Sequence, residues 1–375
     1  MLIMNATCRS RLSQFWNHLQ HELFPFLREE DHLELSPTLE KVIRVLEFTQ
    51  VDRYIASSRG FVGRPPKDRV ALARAFVAKA VLDLPTTEAL IDRLKADRAL
   101  RRICGFERFH KIPAASRFSR VFAEFTALEL PARVHEVLIH SQLGDQIIGH
   151  IARDATEITA REKPAPKAKP VPSCDAPAEP KKRGRPKKGE ERPKEATRIE
   201  RQVAQTAEQS RAELPTACDV GSKKNSKGYK ETWIGYKLHI DTADGDIPVH
   251  AILTSASVHD SQVAIPLMRQ TSQRVTYLYD LADAAYCSPI LREESRRLGH
   301  VPLIDHNPRR GEKIVFAPHE AERYKARSQV ERTNSQLKDN HGGRHVRVRG
   351  PAKVYTHLMF GILVIAAEQI LRLLN

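Results

Sequence analysis

HEAERYKARSQVERTNSQLKDN, residues 319–340, carries Tyr324, Arg327, Glu331 and Lys338 at steps of three, four and seven. At about 100° per residue those steps place all four on one stripe of a helix. Ala326, Val330, Thr333 and Leu337 fall on the adjacent stripe and read as the packed face. The helix is therefore expected to be held along one side while presenting Glu331, flanked by cations, along the next. A carboxylate on a rigid helix, with Arg and Lys a turn or two away, suits metal-dependent phosphodiester chemistry. The same spacing also describes a solvated ion-pair face, so the partners of Glu331 decide between the two.

Upstream, DQIIGHIARDATEI (145–158) reads as a short strand ending in Asp154. WIGYKLHIDT (233–242) and DIPVHAILTSAS (246–257) read as paired strands with a turn at Asp244-Gly245. A helix is expected over His259–Arg269, then a strand in VTYLYDLADAAY (275–286) that ends near Asp283. A helix over Pro289–Leu298, a strand in VPLIDHN (301–307), and a single helix from Pro318 to Asn340 complete the order. Three strands, helix, strand, helix, strand, helix predicts an α/β mixed sheet flanked by helices, resembling the ribonuclease-H-like core. In that topology the first strand, the end of the fourth strand and the helix after the fifth converge. Each presents a carboxylate: Asp154, Asp283 and Glu331. Converging carboxylates repel one another unless cations sit between them, and Mg²⁺ prefers oxygen ligands. Two such ions about 3.5–4 Å apart can activate an attacking oxygen and stabilise a leaving one. Asp280 stands three residues before Asp283 and is the alternative second ligand; Asp283 is preferred because it lies nearer the strand's C-terminal end.

Composition points the same way. The chain has 375 residues and a net charge of +15. Such an excess of Lys and Arg implies a polyanionic partner, usually nucleic acid. A membrane surface competes, but no uncharged apolar run is long enough to span one. Val354–Leu374 comes closest; His357, Glu368 and Arg372 interrupt it, and it reads as a buried terminal helix. Five scattered cysteines with no CxxC pair argue against a zinc site or a disulfide framework. MLIMNATCRSRLSQFW lacks the layout of a signal peptide, so a cytoplasmic, nucleoid-associated protein is expected.

The first 145 residues read as a helical unit, either suited to DNA binding or a bundle with an ordinary charged surface. Helices are expected over Lys67–Leu84, from a Thr86 or Thr87 cap to Cys104-Gly105, and from Ala114 to Leu128. Residues 146–161 and 216–375 form the expected catalytic domain. Between them, residues 162–215 hold nine of the chain's 23 prolines and almost no large apolar residues, so the segment is expected to be a disordered basic insert. Glu195–Leu214 within it could form a polar helix. KKRGRPKK contains Arg183-Gly184-Arg185-Pro186, where Gly permits close approach and Pro keeps the backbone extended. Arg183 and Arg185 could then lie along a narrow, A·T-rich minor groove, in the manner of an AT-hook. Gly63-Arg64-Pro65-Pro66 is a poorer match and reads as a helix lead-in.

The full spacing of Tyr324, Arg327, Glu331 and Lys338 resembles the Tyr-Arg-Glu-Lys branch of the DDE transposases of bacterial insertion sequences. LADAAYCS resembles that family's second-aspartate block, with Ala285 in place of its usual glycine; ARDATEI resembles the first-aspartate block. GYKLHI, SASVHDSQ and the terminal helix are similar to family segments, and GRPPKDRVALARAF through IPAASRFSRVFAEF is similar to a transposase N-terminal domain. The resemblance implies that Asp154, Asp283 and Glu331 hold two Mg²⁺ or Mn²⁺ ions. It implies that Tyr324, Arg327 and Lys338 contact phosphates near the cut, with Asn334 and His259 as supporting residues, or His259 as a structural histidine. It implies binding of terminal inverted repeats, cleavage that frees a 3′-hydroxyl, attack of that hydroxyl on target DNA, and a dimer or higher synaptic complex. Two other readings share these residues: a relic that binds AT-rich DNA without cutting, and a metal-dependent nuclease without strand transfer. Intact carboxylates favour the first, and terminal inverted repeats flanking the gene would discriminate.

Overall fold

The computed structural model describes residues 35–55, 68–108, 111–166, 196–224, 227–308 and 312–374. In it β1 (Ile147–Thr159) lies between β3 (Lys230–Ala243) and β5 (Thr276–Ala282). β3 runs antiparallel to β1, and β4 (Ile247–Ser255) antiparallel to β3. The turn between them falls where expected, with Gly245 and Asp246 both at positive φ. β5 and β6 (Val301–Ile304) run parallel to β1. β2 (Asp219–Lys224), absent from the sequence reading, pairs with residues 230–235 of β3. The result is a six-stranded mixed sheet flanked by helices, compatible with a ribonuclease-H-like core.

β1 corrects one expectation. It does not end at Asp154 but continues to Thr159, with Ile158 buried opposite Tyr236. Alternation of Asp154-Ala-Thr-Glu-Ile-Thr sustains a half-buried strand past the carboxylate. Asp154 therefore sits within the strand rather than at its end, paired to Ile240 of β3 and one residue past the last pair with β5.

The N-terminal helices form as the caps dictate. α1 (Pro37–Thr49) starts from Ser36, α2 (Arg69–Val81) from Asp68, and α3 (Thr87–Ala96) from Thr86, each side chain accepting a backbone N–H. The helix expected to run on to Cys104 breaks at Asp97. That residue is extended and its carboxylate caps α4 (Arg98–Ile103) through Leu100 N at 2.9 Å. α5 (Ala115–Ala127) and α6 (Leu130–Leu143) follow.

The ordered part of the insert is larger than its composition suggests. α7 (Arg198–Ala204) and α8 (Ala207–Ala212) each begin with a capping box, Thr197/Glu200 and Thr206/Gln209. They dock on α9 (Ala264–Ser272), where the buried Arg269 donates to the carbonyls of Gln202 (3.1 Å) and Val203 (3.0 Å). Arg269 thus supplies donors to carbonyls that a short helix leaves unsatisfied. The expectation of disorder across 162–215 is therefore corrected for residues 198–212, where the polar helix expected over Glu195–Leu214 forms as two short helices rather than one. Arg183, Arg185 and the Gly63–Pro66 lead-in lie outside the described residues.

α10 (Pro289–Arg297), α11 (Pro318–Tyr324), α12 (Ser328–Asn340) and α13 (Pro351–Leu374) complete the fold. α13 is long and apolar enough to cross a membrane, yet 78% of that apolar window is buried inside the protein. It packs against α1, α2, α5 and α6 on one side and β4 and α12 on the other. One continuous apolar core accordingly includes the N-terminal helices, Ile148 and Ile151 of β1, and Leu363 and Ala367 of α13. Gly361 permits the closest approach. A Cβ there would stand 2.6 Å from the His341 carbonyl oxygen and 2.7 Å from Leu337 Cδ1. The absent side chain lets α12 seat directly on α13.

Candidate active site

Strand alternation sorts the acidic residues onto two faces. Arg153 is buried, with Nη1 donating to Asp280 Oδ1 at 2.9 Å and Nη2 to Asp241 Oδ2 at 2.7 Å. Thr271 Oγ1 also donates to Asp241 Oδ2, at 2.7 Å. Asp280 is thus committed to a buried ion cluster that ties β1, β3 and β5 together. Its neighbour along the chain, Asp283, lies just past β5. The parallel register pairs Arg153 with Ala282, so one residue further brings Asp154 beside Asp283. Asp283 caps the short 3-10 turn Ala284–Tyr286, accepting from Ala285 N at 3.0 Å. Ala285 is not among the residues at positive φ, so alanine in place of glycine carries no backbone penalty there.

The electrostatics of the pair follow from its burial. Desolvation, with the charges of Asp283 and Asp260 behind it, raises the Asp154 carboxyl to about 7. Desolvation also raises Asp283, aided by Asp260 and Asp305. Arg327 opposes both rises. Asn334 Nδ2 donates to Asp154 Oδ2 at 3.3 Å and fixes one carboxylate oxygen.

The helix expected as one piece from Pro318 to Asn340 is two helices. A 3-10 turn, Lys325–Arg327, separates α11 from α12, so Tyr324 leaves the stripe on which the sequence places it. The tighter turn re-aims Tyr324: its hydroxyl donates to the Ala282 carbonyl at 3.2 Å, and its ring packs on Phe316. Tyr324 therefore braces the backbone immediately before Asp283. The rest of the stripe holds. Arg327 Nη1 donates to Glu331 Oε1 at 2.6 Å, and its Nη2 lies 3.9 Å from Asp283 Oδ2. Val330, Thr333 and Leu337 are buried as expected. Lys338 Nζ donates to Glu157 Oε1 at 2.7 Å, and with Lys223 it draws that carboxyl down to about 2.

His259 takes the structural alternative: it is exposed and bonds Ser261, capping a 3-10 turn rather than reaching the carboxylates. The next residue, Asp260, is the one whose charge is felt by both Asp154 and Asp283. Lys237 holds it at 2.9 Å. A carboxylate directly after the third long strand, in SVHDS, is the signal that could have singled it out.

Among the described residues no three His, Cys, Asp or Glu side chains gather closely enough to hold an ion. Glu331 is 57% exposed and turned to Arg327. The guanidinium takes the place of a counter-ion among Asp154, Asp283 and Glu331. The donor set fits a hard divalent cation all the same: every candidate ligand is a carboxylate oxygen. Asp154 and Asp283 are raised chiefly by desolvation, and an adjacent cation would favour their ionised forms.

Residues 146–366 match the family described as Transposase DDE domain. Residues 22–124 match a second family, Transposase domain (DUF772). No curated protein and no solved structure matched the chain. The first match covers more than half the chain and contains Asp154 on β1, Asp283 just past β5 and Glu331 on α12, so the chain belongs to the transposase DDE domain family.

Proposed function

We propose that the protein is the transposase of a bacterial insertion sequence, of the Tyr-Arg-Glu-Lys branch. It binds the terminal inverted repeats of its element and catalyses DNA cleavage and strand transfer. The observation that carries this reading is the juxtaposition of Asp154 and Asp283 across β1 and β5, with α12 bringing Glu331 to them through Arg327. Two divalent ions, Mg²⁺ or Mn²⁺, held by these carboxylates would stabilise the attacking and leaving oxygens of an in-line displacement.

The chain's own residues do the remaining work. Asn334 and the Ala285 N–H orient the two aspartates. Tyr324 fixes the strand end from which Asp283 projects. Arg327 neutralises the carboxylates in the unliganded protein and is placed to pass from Glu331 to a phosphate. Lys338, paired with Glu157, is the next cation along α12 for the flanking phosphate. In the first step a water oxygen bonds to phosphorus at the element end while the bond to the 3′-oxygen breaks, leaving a 3′-hydroxyl. In the second, that hydroxyl bonds to a target phosphorus and the target's own 3′-oxygen departs. Two ends must be held together for this, which supports a dimer or higher synaptic complex on DNA in the bacterial cytoplasm.

The test is in vitro cleavage of a duplex carrying the repeats that flank the gene, with Mg²⁺ or Mn²⁺. Wild type should nick at the repeat end and join that end to a target plasmid, and Asp283→Asn or Glu331→Gln should lower nicking by at least about 10³-fold. Nicking by Asp283→Asn at the wild-type rate would refute the site. Cutting without joining would favour the nuclease reading.

A further inference from the structure

We infer that the groove between the N-terminal helices and residues 341–353 is a track for a DNA sugar-phosphate backbone, continuous with the carboxylate site. The inference rests on the DNA-cutting reading and adds where the flanking strand runs.

The groove has a volume of about 480 Å³. Phe76 and Phe360 lie in it, and Lys79, Arg161, Arg347, Arg349 and Lys353 line it against a single acid, Glu88. Several basic side chains of the N-terminal helices and of α12 have acidic partners, as Arg74 has Asp52 and Arg332 has Asp246. Arg161, Arg347 and Lys353 are exposed, and among the described residues no carboxylate pairs with any of them. A concentration of unpaired cations in a concave surface focuses a positive field. Burial also draws the Lys79 ammonium down to about 8, a cost that an adjacent phosphate would offset.

Position supports a strand rather than an isolated anion. Two elements run side by side from the carboxylates to the groove. On β1 and just beyond it the order is Asp154, Glu157, Arg161; on α12 it is Glu331, Asn334, Lys338, and then His341 at the groove. Cross-links join them at two levels, Asn334 to Asp154 and Lys338 to Glu157, and beyond α12 Arg349 Nε donates to the Arg161 carbonyl at 3.2 Å. At 1.5 Å per residue, Glu331 and His341 are about 15 Å apart. At 3.4 Å per phosphate along one strand that distance covers about four phosphates. A strand with its scissile phosphate at the carboxylates would pass Lys338 and then lie between Arg161 and Arg347.

The experiment measures binding of the full chain to a mixed-sequence duplex of about 30 base pairs across a range of salt concentrations. Each lost phosphate contact lowers the slope of log K against log salt by about 0.9. The triple variant Arg161→Ala, Arg347→Ala, Lys353→Ala should lose about 2–3 from the slope. The conservative set Arg161→Lys, Arg347→Lys, Lys353→Arg should retain it. Arg44→Ala, Arg201→Ala, Arg296→Ala removes the same formal charge elsewhere and should keep the wild-type slope. An unchanged slope in the groove variant, or an equal loss in both alanine triples, overturns the track. Wild type that fails to bind the duplex overturns the DNA reading itself. Wild type that binds and cuts while the groove variant keeps its slope overturns the track alone.

Discussion

Replacing Asp154 with asparagine should stabilise the ion-free protein at neutral and alkaline pH, and the sign follows from its surroundings. The carboxyl ionises at about 7 in the folded chain, against an ordinary value of 3.8, chiefly because it is desolvated. Between those values the folded state binds more protons than the unfolded one. Stability therefore falls as pH rises from about 4 to about 7, and stays at the lower level above. A rise of that size corresponds to about 4 kcal/mol at full burial. Asp154 retains some contact with solvent, so about half of that is expected, about 2 kcal/mol. Asn keeps the size and an oxygen for Asn334 while removing the charge. For a chain of 375 residues, at about 1–2 °C per kcal/mol, the variant should melt about 2–4 °C above wild type at pH 8. The gain should be smaller at pH 5, where the linked loss has only begun. Thermal melts of EDTA-treated protein at the two pH values measure both differences. In the same assay Mn²⁺ should raise the Tm of wild type and lose most of that effect on Asp154→Asn. An Asn variant that melts at or below wild type at pH 8 would refute the electrostatic account of this site.

The ion cluster beneath the site makes a second prediction. Arg153→Met strands the buried Asp241 and Asp280 without their cation and should cost about 3–5 kcal/mol, read as a lowered denaturation midpoint. Adding Asp241→Asn and Asp280→Asn should recover part of the loss; no initial loss would mean the cluster does not hold β1, β3 and β5 together. Gly361→Ala presses a Cβ against the His341 carbonyl and Leu337, and should cost about 1–3 kcal/mol while displacing α12. An unchanged Tm in the Gly361→Ala variant would show that α12 and α13 do not approach as closely as described.

Sequence alone determined the local facts. Periodicity placed the packed face of α12, alternation placed the long strands, and the order of elements predicted a mixed sheet before any contact was known. Spacing of four residues was enough to put Arg327 against Glu331, because Arg327 keeps a helical backbone at the N-cap of α12. What lay beyond a single element was decided by tertiary structure. Only the β1–β5 register shows that Asp283 stands beside Asp154 while Asp280 turns under the sheet to Arg153. Only packing ordered α7 and α8 within a segment whose composition reads as disordered, through the carbonyls gathered by Arg269. The 3-10 turn that diverts Tyr324 to Ala282 breaks a stripe that was regular in sequence. Asp260, remote in the chain from both aspartates, joins their field because strand pairing folds it there. Local pattern reports what a segment prefers and which face it hides. Pairing registers and the partners of buried charges depend on residues from tens to more than a hundred positions away, which no single segment encodes.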